Sequence, residues 1–173
     1  MSTSGLELAI LGGAPILSEP LSVFHGSLGL IERSAVERVM DSGSLSAFYG
    51  SAGPEFFGDE EVRALEAEWS EYFGMRHAVS VNAATSGLIA AMGAIGVSPG
   101  DEVIVPPYTM SATAMAPLFY GGIPVFADIE DQTFCLDPAA VEAAINIRTR
   151  AIIAVNLFGH PAQISALRAI AEK

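Results

Sequence analysis

Ser98-Pro99-Gly100-Asp101-Glu102-Val103-Ile104-Val105-Pro106-Pro107-Tyr108-Thr109-Met110-Ser111 decides the fold. A Pro-Gly turn leads into a short, continuous apolar run of β-branched residues. Two prolines then end that run before a helical pattern begins at Ser111. A strand that is apolar on both faces belongs inside a covered sheet. The same rhythm recurs on either side. Ala78–Val81 reads as a strand leading into a helix over Thr85–Ile95, and Val103–Val105 as a strand leading into a helix over Ser111–Tyr120, closed by Gly121-Gly122. Pro124–Ala127 precedes a helix over Pro138–Ile145, and Ala151–Val155 precedes a helix from Ile164. Four strand–helix units predict an α/β fold with a mainly parallel sheet and helices on both faces. Ligands of such sheets bind at the carboxyl ends of the strands. Asn82, Pro106-Pro107-Tyr108, Asp128 and Asn156 fall there.

Upstream, residues 1–58 read as an arm, a helix and a loop. The arm to about residue 30 is rich in Gly, Pro and Ser, with apolar spots at Leu8, Ile10, Leu11 and Ile16, and is expected to lie across another surface. Ile31–Met40 has helical spacing and stops at Asp41-Ser42-Gly43. Residues 43–58 hold Gly43, Gly50, Gly53, Pro54 and Gly58 among Phe48, Tyr49, Phe56 and Phe57. Loops of this length are often functional. The alternative is a loop whose aromatics merely pin it to the body, and the residues leave both open. Residues 59–173 form the larger part. It begins with an amphipathic helix over Asp59–Phe73, patterned by Val62, Leu65, Trp69, Tyr72 and Phe73 and closed by Gly74. The chain stops within the last helical run, so a truncated frame is the expectation.

Composition narrows the function. With 51% hydrophobic and 16% charged residues the chain is not disordered, and its apolar excess predicts surface covered by a second subunit or by further sequence. A net charge of −12 argues against nucleic acid and anionic membranes as partners. Cys135 is the single cysteine, which leaves no disulfide framework or metal cluster and suits a cytoplasmic protein. No signal-peptide pattern opens the sequence. The most membrane-like stretch, Met110 to Ala127, is broken by Ser111, Thr113, Pro117, Gly121, Gly122 and Pro124.

The junction Ala78-Val79-Ser80-Val81-Asn82-Ala83-Ala84-Thr85-Ser86-Gly87-Leu88 carries the chemistry. A helix that starts straight after a small-residue turn leaves backbone N–H groups unpaired, and an anion such as phosphate can sit on them. The competing reading is that Thr85 or Ser86 simply caps the helix. No Gly-x-Gly-x-x-Gly follows a strand, which disfavours a dinucleotide site.

Read together, four segments resemble the DegT/DnrJ/EryC1/StrS aminotransferase family. They are Glu68-Trp69-Ser70-Glu71-Tyr72-Phe73-Gly74 leading to His77-Ala78-Val79-Ser80-Val81-Asn82; Ala84-Thr85-Ser86-Gly87-Leu88; Gly100 through Thr113; and Pro124-Val125-Phe126-Ala127-Asp128-Ile129 through Leu136-Asp137-Pro138 to Arg148-Thr149-Arg150-Ala151-Ile152-Ile153. Leu11-Gly12-Gly13-Ala14-Pro15 is similar to the start of many members. The resemblance implies a fold type I enzyme that uses pyridoxal 5′-phosphate (PLP), a homodimer in its complete form. It also implies amino transfer from glutamate or glutamine to a keto sugar, nucleotide-linked, or to a cyclitol.

Carried over residue by residue, the resemblance places the cofactor phosphate on Ala84 and Thr85, with alanine where glycine is more frequent. Such an alanine is tolerable while its φ stays negative. Met110 stands where an aromatic ring usually stacks on the pyridine, and a thioether can still make such a contact for about 0.3–1.5 kcal/mol. The alternative for Met110 is plain core packing. Tyr108, with the 43–58 loop, is expected to border the substrate. Asn156 replaces a frequent histidine before Leu157-Phe158-Gly159-His160-Pro161, and both it and Asp128 read more simply as strand-end polar residues. His25 and His77 are assigned nothing. The Schiff-base lysine and the pyridinium-pairing aspartate of the family are implied to lie past residue 173. Lys173, the single lysine, fits neither role, so no catalytic residue is assigned and the chain by itself is expected to be inert. Two other readings stand beside this one: a related PLP-dependent sugar dehydratase, and a non-catalytic module that pairs with another chain.

Overall fold

The computed structural model describes residues 8–17, 19, 28–45, 47–48, 50, 53 and 56–173. His25, Tyr49 and Pro54, singled out above, lie outside the described residues. Two compact units result, Met1–Ala78 and Val79–Lys173.

The first unit is helical. Ala9–Leu11 makes one 3₁₀ turn, closed by Gly12. Helix α1 spans Leu30–Ser42, where Gly29 N–H donates to the Glu32 carboxylate at 2.7 Å and Gly43 ends the helix in the left-handed region. Helix α2 spans Glu60–Phe73. Asp59 caps it by accepting from Glu60 N–H at 2.7 Å, and Gly74 (φ 63°) closes it as its position required. Arg38 and Glu61 link the two helices at 3.2 Å. The aromatic loop closes on itself near its ends: Gly58 N–H donates to Ala47 O at 3.1 Å, and a Cβ at Gly58 would sit 2.8 Å from the Phe48 ring. The Phe48 ring, itself 60% exposed, thus lies over Gly58, and Leu65, Trp69, Tyr72 and Phe73 of α2 are exposed as well.

The second unit is the expected α/β layer. Its elements are α3 (Ala84–Ala94), β1 (Glu102–Val105), α4 (Ser111–Leu118), β2 (Ile123–Phe126), α5 (Pro138–Ala144), β3 (Thr149–Ile152) and α6 (Ile164–Ala171). The strands form a parallel sheet of order β2-β1-β3. All four residues of β1 are buried, as a central strand requires. Alternation then assigns the two faces. Ile104 joins Leu136, Val141 and Leu167 in one core with α5 and α6. Val103 and Val105 join Met92, Ala116 and Ile153 in the other, under α3 and α4. Both faces are covered, and the stretch 110–127 divides into a helix, a glycine turn and a strand. Among the described residues no helix is long and apolar enough to cross a membrane.

One expectation fails. Residues 78–81 are not a strand and do not join the sheet. A strand exists through its ladder partner, and both β-branched residues here, Val79 and Val81, stay exposed rather than entering either core. Alternation alone could not reveal that.

Glu102 locks the amino end of the sheet. It is buried at the start of β1, where it accepts from Asn146 Nδ2 at 2.6 Å and from Arg148 Nε at 2.7 Å. These donors, Asn146 first, hold its carboxyl below the usual glutamate range. A carboxyl lowered in the folded state stabilises the fold above its ordinary pKa of about 4.3, and the contribution disappears as pH falls through the lowered value. Urea midpoints should therefore drop on acidification below about pH 5. Glu102→Gln should lower the midpoint at pH 7 and flatten this acid slope. Glu32 and Asp59, both lowered by backbone N–H groups, would supply what slope is left. An unchanged slope in the variant would refute the assignment to Glu102.

Candidate functional site

Strand β1 runs into Pro106 and turns back as α4, while α3 turns at Ser98–Asp101 into β1. Both helices therefore point their N-termini at the carboxyl end of the sheet, and they pack against each other. Neither N-terminus is capped by a side chain. Ala83, with extended φ/ψ of −159°/154°, precedes α3, and Met110 at −65°/143° precedes α4. The first helical bond of α3 runs from Gly87 N–H to Ala83 O at 3.1 Å. The N–H groups of Ala84, Thr85 and Ser86 consequently have no helix acceptor. No acidic residue stands in this first turn, so nothing there competes with an anion. By contrast α5 is capped, with Asp137 accepting from Ala139 N–H at 3.0 Å.

Side chains around the α3 terminus leave it open. Ser86 donates its hydroxyl to Asn82 Oδ1 at 2.8 Å and so caps nothing. Thr85 is exposed inside the first turn and makes no side-chain hydrogen bond to another described residue. The simple-cap reading of these two residues is not the observed one. Ala84 lies in the helix with negative φ, since Phe134 and Phe158 are the non-glycine exceptions. The backbone at this position therefore does not demand glycine, while the added methyl narrows the room for a phosphate. Three outward N–H groups and one hydroxyl fit a phosphate, which gains roughly 0.3–2 kcal/mol from the helix dipole.

At the neighbouring loop, Thr109 Oγ1 and the buried Thr113 Oγ1 share a 2.8 Å hydrogen bond that fixes the approach to α4. Met110 is 77% exposed, so core packing does not describe it. Tyr108 is half exposed, and its ring meets Phe134 and Phe158. Asp128 serves its turn, accepting from Ile129 N–H at 2.8 Å. Asn156 Oδ1 accepts from Ala162 N–H at 3.0 Å, a strand-end amide bound to its own loop. Lys173 pairs with Glu142 at 2.6 Å on the helical surface. Among the described residues no cluster of three or more His, Cys, Asp or Glu could hold a metal. Phe134 and Phe158 had no mark in the sequence beyond following strands.

These features define an α/β domain that offers uncapped helix N-termini to an anionic ligand at the carboxyl edge of a parallel sheet, the large-domain fold of fold type I PLP aminotransferases. The chain belongs to the DegT/DnrJ/EryC1/StrS aminotransferase family, whose model matches residues 33–173. It is 38% identical over 168 residues to the L-glutamine:2-deoxy-scyllo-inosose aminotransferase of Streptomyces lividus, covering 96% of this chain and 38% of that protein. DesV of S. venezuelae, solved with a ketimine intermediate, superposes with a TM-score of 0.71 at 40% identity, over 81% of this chain and 35% of DesV. NtdA of Bacillus subtilis, solved with bound pyridoxamine phosphate (PMP), gives 0.70 at 32% identity, over 81% of this chain and 30% of NtdA. The chain thus spans less than two-fifths of the length of the relatives it matches.

Proposed function

We propose that this chain supplies the phosphate-holding part of a PLP-dependent aminotransferase. In the complete protein, the amino group of glutamate or glutamine would pass to a keto sugar, free or nucleotide-linked, or to a cyclitol. One observation carries the reading: the uncapped N-terminus of α3, with Thr85 exposed and three N–H groups open, in a chain of this family. Residues 59–173 are the part we assign to the cofactor, and residues 1–58 to the arm, helix and loop. Ala84 and Thr85 would hold the phosphate, and Met110 would lie along the pyridine ring. Tyr108 would border the substrate. Bound there, PLP supplies the electron sink that amino transfer needs. The residues of this chain would bind and orient it. The exposed apolar face of α2 supports a homodimer of the complete protein. The charge of −12 supports a small-molecule partner over nucleic acid or a membrane surface, and the single cysteine suits the cytoplasm.

The test is phosphate dependence. By calorimetry the chain should bind PLP, inorganic phosphate should compete with it, and pyridoxal lacking the phosphate should bind at least about 10-fold more weakly. Equal affinity for PLP and pyridoxal would sink the proposal.

A further inference from the structure

The carboxyl edge of the sheet carries a second construction. Tyr108, Phe134 and Phe158 each come from the loop after a different strand, β1, β2 and β3. Their rings meet edge to face around Tyr108, at 5.9 Å and 72° for Phe134 and at 6.3 Å and 72° for Phe158. Phe134 (φ 57°) and Phe158 (φ 51°) are, among the described residues, the two non-glycine positions in the left-handed region. A bulky L-residue holds that conformation only when its surroundings enforce it.

The surroundings do so at both positions. Phe134 N–H donates to Glu130 O at 2.9 Å, and Glu130 N–H donates back to Cys135 O at 2.9 Å. The Thr133 hydroxyl accepts from Cys135 N–H at 3.2 Å. After β3, Gly159 N–H donates to Asn156 O at 3.3 Å while the Asn156 side chain holds Ala162 N–H. Yet the strain buries nothing: Phe134 is 47% exposed, Tyr108 48% and Phe158 87%. Core packing does not explain three strained or exposed rings brought together from three loops.

Charge selects what these rings can hold. Apart from His160, the basic residues of the second unit are four, the lysine and three arginines, and each is engaged away from this edge. Arg148 pairs with Glu102, Arg150 donates to Ile95 O at the end of α3, Arg168 pairs with Glu172, and Lys173 pairs with Glu142. Asn146, which follows α5, bonds Glu102 at the start of β1, so the C-terminal ends of these helices lie at the amino end of the sheet. The loop that carries Phe134 holds Asp128, Glu130 and Asp131 instead. Aromatic faces in loops that hold no lysine or arginine suit a neutral hydroxylated ring. Its C–H face stacks on the aromatics. A diphosphate would find no lysine or arginine in these loops to pair with.

We propose that Tyr108, Phe134 and Phe158 form a specificity-determining platform for the neutral carbocyclic or pyranose ring of the amino acceptor, with any nucleotide attached to it lying elsewhere. The proposal rests on the aminotransferase reading above. Saturation-transfer NMR on the 173-residue chain tests it with myo-inositol and UDP-N-acetylglucosamine as probes. Saturating the aromatic protons should transfer to the ring C–H protons of myo-inositol and to the sugar ring of the nucleotide. Phe158→Gly, which the left-handed backbone accepts, should weaken myo-inositol binding roughly 2- to 10-fold without lowering the melting temperature. Phe134→Asn should act in the same direction. Transfer to the uracil protons alone, or unchanged binding in both variants, would overturn the platform. Titration of the Ala84–Ser86 amides with inorganic phosphate should be identical in Phe158→Gly and the parent chain. Absent shifts there in the parent would count against the phosphate site and not against the rings.

Discussion

Thr85→Asp is expected to raise the melting temperature of the chain slightly while cutting its affinity for PLP by at least about 100-fold. The two effects have one cause. Position 85 lies in the first turn of α3, where no acidic residue now stands and three N–H groups lack helix acceptors. A carboxylate there satisfies the positive end of the helix and stabilises it by about 0.3–1 kcal/mol. The same charge would occupy the place assigned to the phosphate. Losing a hydrogen bond to a charged group costs roughly 1.5–3 kcal/mol. At about 5 Å each pair of like charges adds roughly 3 kcal/mol at an effective dielectric near 20. A site that existed only to start a helix would show the gain in stability without any loss. Calorimetric titration with PLP and with pyridoxal separates the cases, because only the phosphate-bearing ligand should be rejected. Thr85→Val, which removes the hydroxyl and adds no charge, should weaken PLP by about 10-fold. Equal weakening of PLP and pyridoxal by Thr85→Asp would contradict the assignment.

How far the sequence carries depends on whether the controlling interaction is local. The Pro-Gly turn at 99–100, the β-branched run at 103–105 and Pro106-Pro107 specify β1 by themselves, and β1 appears within one residue of its reading. Asp59 and Gly74 likewise delimit α2 through contacts only a residue or a few away. Residues 78–81 have an equally good strand pattern but are not in the sheet, because pairing depends on what lies alongside. The Glu102–Arg148 clamp joins positions 46 apart and left no periodic trace. At the site, the open helix terminus was legible from Ala83-Ala84-Thr85, since small residues cannot hide N–H groups. Whether Ser86 would cap it was not, because that turned on Asn82 drawing the hydroxyl away. The left-handed backbone of Phe134 and Phe158 could not be foreseen, as no glycine or asparagine marks either position.

Ile104→Ala should cost the chain about 2–5 kcal/mol of stability and leave its affinity for PLP, per folded molecule, unchanged. Ile104 is fully buried at the centre of β1, the middle strand of the sheet. Its side chain faces the core built with α5 and α6, where Leu136, Val141 and Leu167 surround it. Removing three carbons there leaves a cavity that two flanking strands and two helices hold open. The proposed phosphate site hangs from the opposite face. Helices α3 and α4 pack on Val103, Val105 and Ile153, and the uncapped N–H groups belong to α3. Loss on one face therefore reaches the site only through global unfolding. Urea titration measures the first quantity, and PLP titration at a urea-free, fully folded temperature measures the second. Combined with Met92→Ala on the other face, the losses should add to within about 0.5 kcal/mol, as they do for sites with no shared partners. Weakened PLP binding by folded Ile104→Ala, or strong non-additivity with Met92→Ala, would show that the two faces are coupled through β1. The carboxyl-edge loops would then be set by the α5–α6 core as well as by α3 and α4.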